Sequence, residues 1–126
     1  MAFEHKPTAD YSMPAAADLS ANQYRFAVCN SSGQAALSGA GAATIGVIQN
    51  NDANAVNAAV ALQCVGVSKV VAGAAVTAGA EVASDATGRA VTAATTNRVN
   101  GIALSTSANA GEIISVKLGA GGGQLN

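Results

Sequence analysis

The chain has 126 residues with a formal net charge of −1; 50% of the residues are apolar and only 10% are charged. Alanine makes up about a quarter of the chain, beside two Phe, two Tyr and no Trp, so any core must be thin and partners are expected to add stability. Six basic residues, Lys6, Arg25, Lys69, Arg89, Arg98 and Lys117, stand singly, which argues against direct nucleic-acid binding; no long apolar run or basic-then-apolar leader argues for a membrane span or a secretory signal.

Residues 1–21 differ from everything after them. This stretch holds both prolines, Pro7 and Pro14, the only histidine, His5, and the large apolar residues Phe3, Tyr11, Met13 and Leu19. Proline fixes φ and cannot join a central strand, so the segment reads as an extended amino-terminal arm. Such an arm is either disordered or laid onto a neighbour. In the second case Phe3, Tyr11, Met13 and Leu19 are the docking residues, each filling its own pocket on a neighbouring subunit or a lattice.

A β domain is expected over 22–119, followed by a glycine-rich tail at 120–126. Tyr24–Cys29 alternates Tyr24, Phe26 and Val28 against Arg25, Ala27 and Cys29, the pattern of a half-buried strand. Gln34–Leu37 is a short return strand, and Thr44–Gln49 a third, in which Gly46 either lets another backbone approach or makes a bulge. Asn50–Asn57 is a polar loop without the order of a calcium-binding loop. The apolar run Ala58–Val71 is rich in β-branched residues and reads as one long strand, or as two with a bend at Gly66. Four more strands follow at Glu81–Ser84, Ala90–Ala93, Asn100–Ser105 and Glu112–Leu118, separated by the turns Asp85–Gly88 and Ser107–Gly111. In the last of them Ile114, Val116 and Leu118 alternate with Ile113, Ser115 and Lys117.

One constant offset relates the two parts of this domain. Adding 55 to Gly33 gives Gly88, and adding 55 to Gly46 gives Gly101; the turn at Asn30–Gly33 then overlies Asp85–Gly88. This points to an internal duplication, with half-repeats at 24–64 and 80–119, neither large enough to bury a core alone.

Reactive chemistry is not expected. A nucleophile needs a base within hydrogen-bond reach, and His5 lies in the arm; Asp52, Glu81, Asp85 and Glu112 sit in or beside turns with no paired spacing. Cys29 and Cys64 read as reduced, small buried hydrophobes, or as a disulfide should their strands be neighbours. No metal or cofactor is expected, since one histidine and two separated cysteines do not form a ligand set.

The run from Gly79 to Arg89, with Asn100–Leu104 and Gly111–Leu118, resembles the carboxy-terminal half of the small capsid cement or decoration proteins of tailed bacteriophages. Gly46–Gln49 and Val65–Val67 extend the resemblance, which spans about 24–118 and excludes the arm. It implies an all-β fold, a compact β-barrel-like or β-sandwich module. It also implies a structural virion protein, made in the host cytoplasm, that binds the outer capsid surface and cements adjacent subunits. The expected partners are the major capsid protein and further copies of the chain, as a homotrimer. A fibre or tail component is the alternative from the same setting. A glycan-binding module using 50–57 and 105–109 is another, although its aromatic platform is missing because Tyr24 and Phe26 are committed to a strand.

Overall fold

The computed structural model describes residues 10–118, and they fold as an all-β module with no helix. Ten short strands form in chain order: β1 (Asp10–Pro14), β2 (Phe26–Cys29), β3 (Ala35–Leu37), β4 (Gly46–Ile48), β5 (Ala59–Gln63), β6 (Gly66–Val71), β7 (Glu81–Ser84), β8 (Ala90–Thr92), β9 (Gly101–Ala103) and β10 (Ile113–Leu118). They make two antiparallel five-stranded sheets. The first has the order β1-β5-β4-β2-β3 and the second β6-β10-β9-β7-β8. Adding five to each label of the first order gives the second.

The duplication therefore extends to topology. Phe26 to Glu81, Ala35 to Ala90 and Gly46 to Gly101 are each a shift of 55, while β5 to β10 shifts by 54 and β1 to β6 by 56. The repeating unit is larger than the sequence offset indicated, because each half includes a further strand, β1 or β6. The turns repeat as well. Asn30 Oδ1 accepts from the N–H groups of Ser32 (3.0 Å) and Gln34 (2.8 Å), and Asp85 Oδ1 accepts from those of Thr87 (2.9 Å) and Arg89 (2.8 Å). A short polar side chain thus fastens the same hairpin twice.

Each sheet curls until its edges meet. Ala15, directly after β1, bridges in parallel to Ala35 at the start of β3, and Ala72, after β6, bridges to Ala90 in β8. The Ala16 and Gly73 N–H groups donate to the carbonyls of Ala35 and Ala90, both at 2.8 Å. Small side chains at these four alanines let the backbones close, and closure removes part of the edge that would otherwise stay unpaired. Two glycines serve a related purpose in the middle strand of each sheet. A Cβ at Gly46 would stand 2.8 Å from the Gln63 carbonyl oxygen, and one at Gly101 would stand 2.5 Å from that of Lys117. Both positions need a bare backbone facing a backbone, so the close-approach reading of Gly46 holds for each half.

The inside of the first sheet holds Ala15, Leu19, Ala27, Ala35, Ile48, Ala53, Val60 and Leu62. The second holds Val70, Ala72, Val76, Val82, Ala90, Ala103, Ile114, Val116 and Leu118, joined by Phe26 and Val47 from the first half. Eight of the twenty-one buried apolar residues are alanine, and Phe26 is the largest fully buried side chain among those described. The alternation expected for Tyr24–Cys29 is accordingly modified. Ala27 lines its own half, Phe26 on the opposite face is covered by the other half, and both are fully buried.

Backbone and side chains join the halves. Phe26 N–H donates to Gly88 O (2.7 Å), Val71 N–H to Tyr24 O (2.8 Å) and Gly41 N–H to Ser84 O (2.9 Å). Gln49 Nε2 reaches Ser68 Oγ at 3.0 Å, Gln63 Nε2 reaches the Val65 and Val67 carbonyls at 3.0 Å each, and Arg25 Nη1 reaches Thr87 O at 3.2 Å. Gly88 sits at this seam with φ +79°, and a Cβ there would lie 2.9 Å from the Phe26 carbonyl oxygen. Only glycine meets both demands.

The segment read as an arm over 1–21 is in part a component of this fold. β1 pairs antiparallel with β5 from Asp10 opposite Gln63 to Pro14 opposite Ala59. Proline is tolerated because β1 is the outer strand of its sheet and Pro14 its last residue, where no ladder donor is required. Ala58–Val71 resolves into two strands, β5 and β6, and Gly66 opens the second at φ +87°.

Candidate docking surface

The four residues expected to dock have separate fates. Phe3 lies outside the described residues. Tyr11 places its backbone opposite Leu62 in the β1–β5 ladder, and Met13 stands opposite Val60, half-buried against the inside of the first sheet. Leu19 is 3% exposed, packed inside the first sheet, and its N–H donates to Ala53 O at 2.8 Å. It is a core residue and is not available to a partner. From the sequence it looked like one more apolar residue near a proline; the contact that claims it comes from a loop 34 positions along the chain.

The structure exposes other apolar side chains that a strand pattern alone does not single out. Of the large hydrophobic residues described, Val56, Val67, Leu104 and Ile113 are exposed, at 59%, 55%, 49% and 53%. Three of these share the outer face of the second sheet. Ile114, Val116 and Leu118 of β10 point inward, as expected, so Ile113, Ser115 and Lys117 point out. Opposite them on β6 are Val71, Lys69 and Val67, and on β9 Ile102 faces Lys117. Leu104 continues β9, its N–H donating to Ser115 O at 2.7 Å.

The result is a three-strand surface with Val67, Ile102, Leu104 and Ile113 around two lysines. Lys69 Nζ stands 5.8 Å from the centroid of the Tyr24 ring, close enough for the ammonium to favour the ring face. Glu81 lies on β7, beyond β9, and Glu112 at the end of β10 has its carboxylate engaged by Ala108 N–H (3.1 Å) and Asn109 Nδ2 (3.4 Å). The corresponding face of the first sheet carries Phe26 and Val47 and is covered by the second half. Among the described residues nothing covers the second sheet's face in the same way.

A second exposed group lies on the loops of the first half. Segment 15–19 runs antiparallel to the loop 53–57, with Leu19 N–H donating to Ala53 O (2.8 Å) and Asn57 N–H to Ala15 O (2.7 Å), and Asp18, Asp52 and Val56 are exposed along these two stretches. Asp18 Oδ1 accepts from Ser20 Oγ (2.6 Å) and Ser20 N–H (3.0 Å), which holds its carboxyl below the usual carboxylate range. Asp52 Oδ1 accepts from Asn50 Nδ2 at 2.7 Å.

Asp85 is the other carboxylate with a shifted affinity. Partial burial raises it, but the N–H groups of Arg89 and Thr87 and the Arg89 guanidinium, 2.9 Å away, outweigh that and leave it lowered. Its work is to fasten a turn. Cys64 is half-buried against the first core, whereas Cys29, expected as a buried hydrophobe, is exposed at the end of β2; both are free thiols. Among the described residues no three His, Cys, Asp or Glu side chains gather in a metal-holding group, and no helix is long and apolar enough to cross a membrane. What this arrangement offers chemically is contact area with placed charges.

Among curated proteins no relative matches this chain. Among solved structures it is similar to the head fiber gp8.5 N base in bacteriophage phi29. That match has a TM-score of 0.72 at 14% identity and covers 94% of this chain and 98% of the other. At that identity the likeness is one of fold. Residues 3–118 match the phage cement protein family; the chain belongs to that family and is a virion structural protein associated with the phage capsid.

Proposed function

We propose that this chain binds the outer surface of an icosahedral phage capsid as a homotrimer and cements adjacent copies of the major capsid protein. Family membership over residues 3–118 carries the reading, because it takes in nearly the whole fold rather than one motif. The surface chemistry supports it. Apolar side chains at about half exposure around a few charges suit a protein that acts by burying area against neighbours. Many such contacts, each weak, act together when several subunits of one assembly bind one lattice, since after the first contact the others form at high effective concentration. The arm residues Phe3 and Tyr11, with the exposed side of Met13, add anchors across subunit boundaries. Catalysis has no part in this reading.

The test is to add the purified chain to expanded, undecorated shells, sediment them, and locate bound density by cryo-electron microscopy. Saturable binding at fixed sites across capsid subunit boundaries supports cementing; recovery of all the protein in the supernatant overturns it. A second reading, a base that seats a fibre on the head, is favoured by the fold likeness to the phi29 head fiber N base. Density at a few isolated positions carrying a projecting shaft would select it.

A further inference from the structure

One tight turn is built twice in the chain. In the first half Ala42 N–H donates to Gly39 O at 3.4 Å, and 55 positions later Asn97 N–H donates to Ala94 O at 3.0 Å. The third residue of each turn has a positive φ, +68° at Gly41 and +75° at Thr96. A type II turn makes this demand, and glycine meets it without steric cost. Thr96 is β-branched, so the backbone that is relaxed in the first half is strained in the second.

The two turns also differ in their surroundings. The first is covered by the second half: Gly41 N–H donates to Ser84 O (2.9 Å), Gly41 O accepts from Arg98 N–H (3.2 Å), and a Cβ at Gly41 would stand 2.6 Å from Asn97 Nδ2. It docks main chain against main chain. The second turn is exposed from Ala94 to Thr96. Among the described residues the Thr96 N–H and C=O, equivalents of the two Gly41 groups, have no hydrogen-bond partner, and neither do the hydroxyls of Thr95 and Thr96. Asn97 holds this turn shut, its Oδ1 accepting from Ala94 N–H at 2.8 Å. The tip is therefore polar and already shaped before any partner arrives.

We propose that the 94–97 turn is a contact point with the shell protein, which presents to it a main-chain edge as β7 does to Gly41. The Thr96 N–H and C=O pair with that edge, and the Thr95 and Thr96 hydroxyls bond to carbonyl groups beside it. This rests on the capsid binding of the proposed function and adds which element makes the contact and what chemistry it meets. A glycine at position 96 would satisfy the turn, yet a threonine stands there, and strained residues of this kind persist where a contact offsets the strain. The other two non-glycine residues with positive φ, Asn57 and Tyr24, have such contacts within the chain. Asn57 Oδ1 accepts from Gln34 Nε2 at 3.0 Å, and the Tyr24 ring lies 5.8 Å from Lys69 Nζ. Each of them stands where the other half has glycine, Gly111 and Gly79, 54 and 55 positions on. For Thr96 the partner supplies the contact.

The test is a titration of expanded, undecorated shells with the wild type, T96G, T96V and T95V, read by sedimentation, beside thermal unfolding of each free chain. T96G should raise Tm by about 2–6 °C as the strain is relieved, and weaken shell binding about five-fold or more as the hydroxyl contact is lost. T96V keeps the branched side chain and its strain, so its Tm should match the wild type while its binding falls about five-fold. T95V should behave as T96V does. Because the contact is between neutral groups, the ratio between wild type and variants should be the same at low and at high salt. A wild-type chain left wholly in the supernatant overturns the capsid binding itself. Saturable wild-type binding that all three variants match leaves capsid binding standing and overturns the role of this turn. A T96G chain no more stable than the wild type overturns it too, since Thr96 would then hold no strain for a partner to offset.

Discussion

Phe26 is the side chain on which the union of the two halves most depends. It is fully buried, belongs to β2 of the first sheet, and packs among Val70, Val82, Val116 and Leu118 of the second half. Replacing a fully buried Phe by Ala removes its transfer free energy and leaves a cavity, together about 3–5 kcal/mol. Whole domains are stable by only about 5–15 kcal/mol, so this single change removes a large fraction. For a chain of this length it should lower Tm by roughly 10–20 °C. Neighbours that could collapse into the space are mostly valines and alanines held in closed sheets, which keeps the cost near the upper end. Thermal unfolding followed by calorimetry and by far-ultraviolet circular dichroism reads the effect. F26L should cost about 1–1.5 kcal/mol because volume is nearly kept, and V28A, at a half-buried position of the same strand, should cost less than F26A. The wild type should melt in one transition, since neither half completes its surface alone. A loss below about 1 kcal/mol for F26A, on the same scale as a surface change, would refute the reasoning, as would two separated transitions in the wild type.

Four further outcomes follow. G46A and G101A should each destabilise by about 1–3 kcal/mol, because the added Cβ meets a backbone carbonyl that has no rotamer to escape into; denaturant midpoints that match the wild type would deny the close approach. L19A should cost about 2–5 kcal/mol as a core truncation, whereas deletion of 1–9 should leave Tm unchanged and weaken binding to shells; the opposite pattern would return Leu19 to a docking role. D85N should lose about 1 kcal/mol at neutral pH with the partly exposed ion pair to Arg89, while Asn30 shows that an amide can still fasten this turn. The folded-state affinity of Asp85 for protons is lowered, so its contribution is present above the unfolded value near 3.9 and is lost as pH falls below it. The wild type should therefore lose its advantage over D85N as the pH falls below about 3.8, and a difference that stays constant from neutral pH through the acid range would contradict the assignment.

Much of the fold could be read from the residues. Glu81–Ser84 is a strand with the bounds expected of it, and the inward set Ile114, Val116 and Leu118 followed directly from period-two alternation. The offset of 55 between Gly33 and Gly88 and between Gly46 and Gly101 was visible because both pairs answer to steric demands that few residues meet. β1 was not visible. Tyr11 and Met13 do alternate with Asp10 and Ser12, but the run is short and ends in proline, which argued against a strand, and it is a strand because β5 offers it an edge to pair with. Leu19 was misread for the same reason, since the loop that buries it is distant in sequence. The deletion that probes docking must accordingly stop before Asp10; removing 1–21 would take out a strand and a core leucine and would report on folding instead.

The docking surface was the least legible part. Val67 and Ile113 lie in two strands and Leu104 directly after a third, and their meeting on one face depends on the β6-β10-β9 order and register. Residue type told that the chain has few bulky side chains to spend; pairing determined where the exposed ones gathered.

The most direct measurement of the central claim is the temperature at which genome-filled, undecorated shells release their nucleic acid, read by a nucleic-acid dye with and without saturating purified chain. Cementing predicts that release moves upward and that the shift follows occupancy until the sites are filled. Saturable binding with an unchanged release temperature would contradict the account.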